Sequence, residues 1–321
     1  VIDEIQDSAK VYSLIRQFAR EFSCDFIITG SYLGKTLSRE YFQPVGDLDI
    51  MILDTLTFEE FLDAEGKRDL YNSVDLYGKS SHEAYDELKR YYDLYCQIGG
   101  YPAVVKTYLE TRDMEICQTE LDRVIHIFTE ESQGYFDNVL DINLFGQLLP
   151  AVAQTMIREK KGSVDLITEL SKIVYKQESS RLSKKSINQA IAWLYRSHIL
   201  DFCGKANDCN PTDISANSRF YFLDVGVCRS FLDMAGADLP TLRGIVNENF
   251  VYIDLLKRVR SRKISGTAPI FGLYKEGEID FLVNSRENYK TYGVEVKSGK
   301  TEGKTAQLLL KDEKVEAVYF L

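Results

Sequence analysis

Two short apolar runs near the C-terminus carry charge where a buried strand tolerates it least. Gly277-Glu278-Ile279-Asp280-Phe281-Leu282-Val283 and Tyr292-Gly293-Val294-Glu295-Val296-Lys297 each read as a strand with acids set among apolar residues. Such charges carry a desolvation cost unless they are paired or bind an ion. Adjacent antiparallel strands would bring Asp280 close to Glu295, and the two-residue period puts Lys297 on the face of Glu295. Two carboxylates and a lysine on one sheet face can bind Mg²⁺ and polarise a water for attack on a phosphodiester. They also suit a structural ion cluster without chemistry, and the sequence leaves these two readings level.

The rest of the hydrophobic pattern frames that feature. Val1-Ile2-Asp3-Glu4-Ile5-Gln6 reads as a short apolar strand ending in acids. A helix follows with Val11, Leu14, Ile15, Phe18 and Phe22 on one face. Phe26–Thr29 and Leu48–Leu53 read as two more buried strands, so the start of the chain suggests part of a parallel sheet. Residues 64–81 are polar and turn-rich, like a linker. Helical spacing returns from His82 to Ile98, is broken by Gly99-Gly100-Tyr101-Pro102, and then dominates from Ala103 to Lys160.

After Gly162-Ser163 the order is a helix to Tyr175, a helix over Ser183–Ser197, and strands at Ile199–Cys203 and Phe220–Leu223. That is a winged-helix order, with Ala190, Ile191, Leu194 and Tyr195 expected on the inner face of the second helix. The final segment predicts a helix around Glu248–Arg258 and strands at Ile270–Tyr274, Ile279–Val283 and Thr291–Val296. It ends with a helix through Thr305–Lys311 and a strand over Val315–Leu321.

Composition removes several classes. With 45% hydrophobic residues, 20 Tyr and 17 Phe, the chain has ample material for a core, which excludes disorder as its main state. No apolar run approaches a membrane span, and no signal peptide is visible at the start. Six scattered cysteines suit reduced core thiols of a cytoplasmic protein. The net charge of −10 argues against coating nucleic acid by bulk electrostatics. The charge is uneven: residues 1–100 hold 10 Lys/Arg against 19 Asp/Glu, whereas residues 241–321 are net basic. Lys257, Arg258, Arg260, Arg262 and Lys263 cluster at a helix end, where cations favour the helix dipole and a phosphate-contacting patch is the lesser reading.

Other motifs are weaker. Gly30-Ser31-Tyr32-Leu33-Gly34-Lys35-Thr36 resembles a phosphate loop but has three residues between the glycines where GxxxxGK[ST] has four. His82, His126 and His198 are isolated and offer no zinc-ligand spacing.

In order, VIDEIQ, FIITGS and TLTFEEFL resemble the second half of the AAA-type ATPase module in a widespread group of bacterial and archaeal ATPases. GGYPAVV, FYFLDVG and GEIDFLV…YGVEVKSGK resemble that group's C-terminal domain of unknown function, whose tail is similar to the PD-(D/E)XK nuclease fold. The resemblance implies an α/β plus α+β architecture. A partial parallel-sheet AAA-type remnant would span residues 1–63, a linker and helical region 64–161, a winged-helix-like unit 162–230, and a PD-(D/E)XK-like mixed-sheet end 231–321.

It implies that Asp3 and Glu4 are the Walker B pair, with Asp3 on the metal, and that Thr29 and Ser31 end the nucleotide-sensing strand. Glu248 would be the helix acid, Asp280 the metal-binding Asp, and Glu295 with Lys297 the ExK pair, with Asp280 and Glu295 as metal ligands. The implied cofactors are ATP and Mg²⁺, with Mg²⁺ again at the nuclease-like site. A further reading of the residues is pure binding: the winged-helix unit would dock DNA, weakly, with Arg181, Lys184 and Lys185 as phosphate contacts, or dock a partner protein, with an oligomer possible and no membrane.

Two departures matter. No Walker A motif precedes VIDEIQ, so the chain is expected to be a fragment that does not hydrolyse ATP. Gly46-Asp47 stands where the group has Gly-Arg.

Overall fold

Six strands from two stretches of the chain form one mixed sheet, and helices pack on it and beside it. The computed structural model describes residues 1–30, 49–75, 78–135, 144–158, 166–177, 184–297 and 303–321. The strands are β1 (Leu200–Ala206), β2 (Ile214–Phe222), β3 (Ile270–Tyr274), β4 (Gly277–Asn284), β5 (Thr291–Glu295) and β6 (Val318–Phe320). Their spatial order is β2-β1-β3-β4-β5-β6. The pairs β1–β2, β3–β4 and β4–β5 are antiparallel, while β1–β3 and β5–β6 are parallel. The sheet is therefore continuous across residue 230, where the sequence suggests a domain boundary.

The helical body precedes the sheet. It comprises α1 (Ala9–Glu21), α2 (Phe58–Ala64), α3 (Arg68–Asn72), α4 (His82–Ile98), α5 (Pro102–Thr111), α6 (Met114–Tyr135), α7 (Leu144–Arg158), α8 (Leu166–Gln177) and α9 (Lys184–Arg196). Later come α10 (Val225–Met234), α11 (Leu239–Arg260) and α12 (Lys304–Lys311). Among the described residues, no helix is long and apolar enough to cross a membrane. Cys24 is exposed, and the remaining cysteines are buried thiols.

Strand β2 shows how the sheet joins the body. Phe220 and Phe222 point into the large helical core with Leu148, Val174 and Leu194, whereas Tyr221 enters a separate core with Tyr252, Phe271 and Phe281. This is the two-residue period at work. Buried Asn249 of α11 then closes the outer edge of β2: its side chain accepts from Phe222 N–H and donates to Phe222 C=O, both at 2.9 Å. Covering an edge in this way satisfies backbone groups that would otherwise be orphaned.

The Gly99-Gly100 break and the Leu223-Asp224-Val225-Gly226 turn form one junction. Asp224 caps α10 by accepting from Gly226 and Val227 N–H at 2.9 and 3.0 Å, and it also accepts from Gly100 N–H at 2.8 Å. Burial pushes its carboxyl above the ordinary range. A Cβ at Gly226 would sit 2.7 Å from Gly99 N, and one at Gly99 would fall onto the Asp224 carboxylate. Two stretches that stand out in the sequence thus act as a lock between α4 and α10.

Several expectations need correction. VIDEIQ does not form a strand: Ile2 makes one parallel bridge to Ile28, and a 3₁₀ turn follows over Ile5–Asp7. Phe26–Thr29 is not a buried strand either, since Ile27 is 64% exposed. Leu48 lies outside the described residues, and residues 49–53 form no strand pairing among the described residues, with Met51 84% exposed. Apolar composition makes a strand only where neighbouring backbone accepts its hydrogen bonds. The stretch 64–81 is not simply a linker, because it contains α3, pinned by Arg68–Glu59 and Lys67–Glu87 ion pairs of 2.6 and 2.8 Å.

On α9, Ala190, Ile191 and Leu194 face inward as expected, but Tyr195 is 44% exposed and stacks on Phe202. It lies one residue, or about 100° of helix rotation, beyond Leu194.

Candidate active site

The carboxylates foreseen at the C-terminal end do converge, and a fault in strand register helps bring them together. Across β3 and β4, Ile270 pairs with Leu282 but Gly272 pairs with Ile279. Asp280 and Phe281 therefore oppose the single residue Phe271, a β-bulge. Ile279 and Leu282 face the core beside α12, while Phe281 faces the core beneath α11. A bulge re-aims the side chains it contains, and here it sets Asp280 within the electrostatic reach of Glu248 on α11.

Strand β5 supplies the other half. Val294 pairs with Phe281, so the next residue, Glu295, comes alongside Asp280. Glu295 is only 6% exposed. One of its oxygens, Oε1, makes a 2.5 Å ion pair with Lys297 Nζ. Among the described residues, the other, Oε2, is buried with no hydrogen-bond partner. Val296 N–H donates to Asp280 Oδ2 at 2.7 Å. Burial, followed by the negative charges of Glu248 and Glu295, pushes the Asp280 carboxyl up to about 7. The hydrogen bond from Lys297 to Glu295 holds the Lys297 ammonium above its usual range.

Three further side chains complete the cluster, and sequence reasoning did not assign them a role. Arg219 on β2 is 6% exposed and lies over the Phe271 ring, 4.0 Å from its centroid. Its guanidinium reaches Glu248 Oε1 at 3.3 Å and Glu278 Oε2 at 2.9 Å, the latter an ion pair without hydrogen-bond alignment. Tyr221, also on β2, donates its hydroxyl to Glu248 Oε1 at 2.5 Å. Its ring stacks on Tyr252 with centroids 4.0 Å apart. Burial holds the Tyr221 phenol well above its ordinary range, so it remains a donor. An arginine two residues before a tyrosine in an apolar strand was the available signal. Both fall on one face, and neither Phe220 nor Phe222 shares it.

The donor set is hard oxygen, which suits Mg²⁺ or Mn²⁺. Among the described residues, no group of three or more His, Cys, Asp and Glu side chains is arranged to hold a metal ion. Two carboxylates are enough for Mg²⁺, which commonly keeps several waters and takes its remaining ligands from substrate phosphate. The orphaned Oε2 of Glu295 beside Asp280 fits that requirement.

The N-terminal candidates gather separately. Thr29 donates its hydroxyl to Asp3 Oδ1, which also accepts from Glu4 N–H at 3.1 Å. Backbone bonds from Ile2 N to Ile27 O and from Thr29 N to Ile2 O hold the two segments side by side. Glu4 has a left-handed φ of 49° and accepts from Gln6 Nε2 at 2.5 Å. Asp3, Glu4 and Thr29 are all exposed. Residues 31–36 of the glycine-lysine-threonine stretch, Ser31 among them, lie outside the described residues, as do Asp47 and Arg181.

The basic cluster ending α11 is largely committed to structure. Arg260 pairs with Asp54 at 2.5 Å, Arg258 with Asp254 at 2.7 Å, and Lys257 donates to Thr55 C=O at 3.0 Å. Arg260 and Lys257 tie the 54–55 segment to α11, while the Arg258 pair lies within the helix. On α9, Lys184 and Lys185 are exposed, and Lys184 donates to Thr168 at 2.7 Å.

Residues 89–238 match the sequence model of a domain of unknown function, DUF8612. The match includes Arg219 and Tyr221 and stops before Glu248. No curated protein and no solved structure matches the chain.

Proposed function

We propose that the C-terminal cluster is a metal-dependent phosphodiester-cleaving site of the PD-(D/E)XK nuclease type. The observation that carries this reading is the buried Oε2 of Glu295, unpartnered among the described residues, set beside Asp280 and next to an oxygen paired with Lys297. The sequence of elements α11-β3-β4-β5-α12-β6 supports it, since that is the order of the mixed-sheet fold the motif belongs to. Asp280 and Glu295 would hold the divalent ion, whose chemistry is to polarise a water and neutralise phosphate charge. Lys297 is placed to stabilise charge building on the phosphate. Glu248, held by Tyr221 and Arg219, contributes negative charge next to Asp280.

Incubating the full chain with supercoiled plasmid and Mg²⁺ or Mn²⁺ tests this. Cleavage that is lost in Asp280→Ala and Lys297→Ala supports it. No cleavage with either ion on single-stranded or duplex DNA would leave the cluster structural.

A second reading concerns the N-terminal segment. The contact between Asp3 and Thr29 across a parallel backbone pairing favours the nucleotide-sensing end of an AAA-type ATPase module, with Asp3 and Glu4 as its acidic pair and ATP and Mg²⁺ as ligands of that module. On this reading the chain couples a nucleotide-responsive segment to the C-terminal half, with DNA or a protein as partner. Hydrolysis of ATP by the purified chain, abolished by Glu4→Ala, would contradict the expectation that it does not turn ATP over.

A further inference from the structure

Buried charge must be compensated, and the C-terminal cluster can be counted. Four carboxylates meet there: Glu248, Glu278, Asp280 and Glu295. Among the described residues, two cations meet them, Arg219 and Lys297. With every carboxylate ionised, the cluster carries two uncompensated negative charges, the charge of one divalent ion. The two cations are not equivalent in origin. Lys297 belongs to the motif that carries Glu295, but Arg219 comes from β2, within the stretch matching the domain of unknown function.

The placement of Arg219 and Tyr221 matters as much as the charge. Both engage the same oxygen of Glu248, Oε1, so that carboxylate is already turned toward β2. The guanidinium is sandwiched against Phe271 and spans Glu248 and Glu278, where a second cation would otherwise be drawn. Tyr221 is fixed by its stack on Tyr252.

We infer that Arg219 is a built-in counter-cation which, with Tyr221, holds Glu248 out of metal ligation, so that the site takes a single divalent ion on Asp280 and Glu295. The inference rests on the reading of this cluster as a metal site and adds its stoichiometry and the residues that set it. Arg219 and Tyr221 are positioning residues in this sense: they act through Glu248.

Titrating Mn²⁺ into the full chain at pH 8, with calorimetry for stoichiometry and electron paramagnetic resonance for coupled ions, tests it. The wild-type chain is expected to bind one ion at this cluster, with no binding there in Asp280→Ala. Arg219→Met is expected to bind a second ion, or the first about tenfold tighter, because one positive charge has left a partly buried site. Arg219→Lys is expected to restore single-ion binding.

Should Arg219→Met fail to fold, Glu248→Gln decides: one ion is still bound, several-fold more weakly. Two spin-coupled ions in the wild type would overturn the inference. So would a folded Arg219→Met with unchanged stoichiometry and affinity, or loss of all binding in Glu248→Gln, which would make Glu248 a ligand. No Mn²⁺ bound by the wild type would instead overturn the metal-site reading itself.

Discussion

Two pairs of acids follow apolar runs in this chain, and they end in opposite surroundings. Asp3 and Glu4 sit at a single parallel bridge, exposed, with their partners Thr29 and Gln6 within the same small segment. Asp280 and Glu295 sit on the neighbouring inner strands β4 and β5 of the sheet, under α11 and beside the head of α12, with Arg219 brought in from β2. The local sequence signal is similar in the two places. What differs is the number of neighbours able to exclude water. Electrostatic effects grow as water is removed, and the second pair has that burial: the Asp280 carboxyl is pushed up and, among the described residues, Glu295 Oε2 is left without a hydrogen-bond partner.

The sharpest way to break this comparison is to remove one acid from each region. Asp280→Ala should lower Mg²⁺-dependent plasmid cleavage by about a thousandfold, the several kcal/mol a metal ion supplies. Asp3→Ala should leave that cleavage unchanged. Equal losses in both variants would mean that the two regions form one functional unit.

Hydrogen exchange comes next. Amides in the β4–β5 pairing, such as Val294, should exchange about 10²–10³ times more slowly than Ile5 and Thr29 at the N-terminal bridge, because isolated pairings open locally. Comparable protection would show that the N-terminal segment is docked more firmly than its few backbone bonds suggest.

Stability against pH gives a third test. The folded chain holds the Asp280 proton up to about 7, whereas the unfolded chain releases it near the ordinary 3.8. Between those values the native state binds more protons than the unfolded state, so the Asp280 contribution makes stability fall as pH rises and level off above 7. Asp280→Asn should therefore be more stable than wild type at pH 8 by about 2 kcal/mol, roughly half of what a three-unit shift implies at 1.36 kcal/mol per unit, given partial water access. At pH 4 the difference should vanish. A constant difference across that range would remove the linkage.

The smallest effect belongs to Thr29→Val, which deletes an exposed hydrogen bond to Asp3. Its cost should be below about 0.5 kcal/mol in chemical denaturation. A cost of several kcal/mol would place the N-terminal segment in the cooperative core.

How much of this could be read from residues alone depended on whether the signal was local. The helix His82–Ile98, its stop at Gly99 and the strand Ile270–Tyr274 are set by spacing and by Gly/Pro punctuation, and the structure has them where the pattern puts them. Asp280, Glu295 and Lys297 were visible because charges inside apolar strands are conspicuous. Arg219 and Tyr221 share one face of an apolar strand, which is a local signal, but they join the cluster from a strand far away in sequence, and local spacing does not show which distant segment that face meets. The bulge at Asp280 and Phe281 is likewise invisible until β3 and β4 are paired. Ile50, Met51 and Leu53 failed in the other direction: a composition suited to a strand lies exposed, because among the described residues no strand pairs with that segment.

The proposed divalent-ion site of this chain is the pair Asp280 and Glu295. Crystals grown with Mn²⁺ at pH 8 and measured for anomalous scattering test it most directly. One strong peak is expected between Asp280 and the Oε2 side of Glu295, with Glu248 still bonded to Tyr221. No peak between those carboxylates, or one only at Asp3, would contradict it.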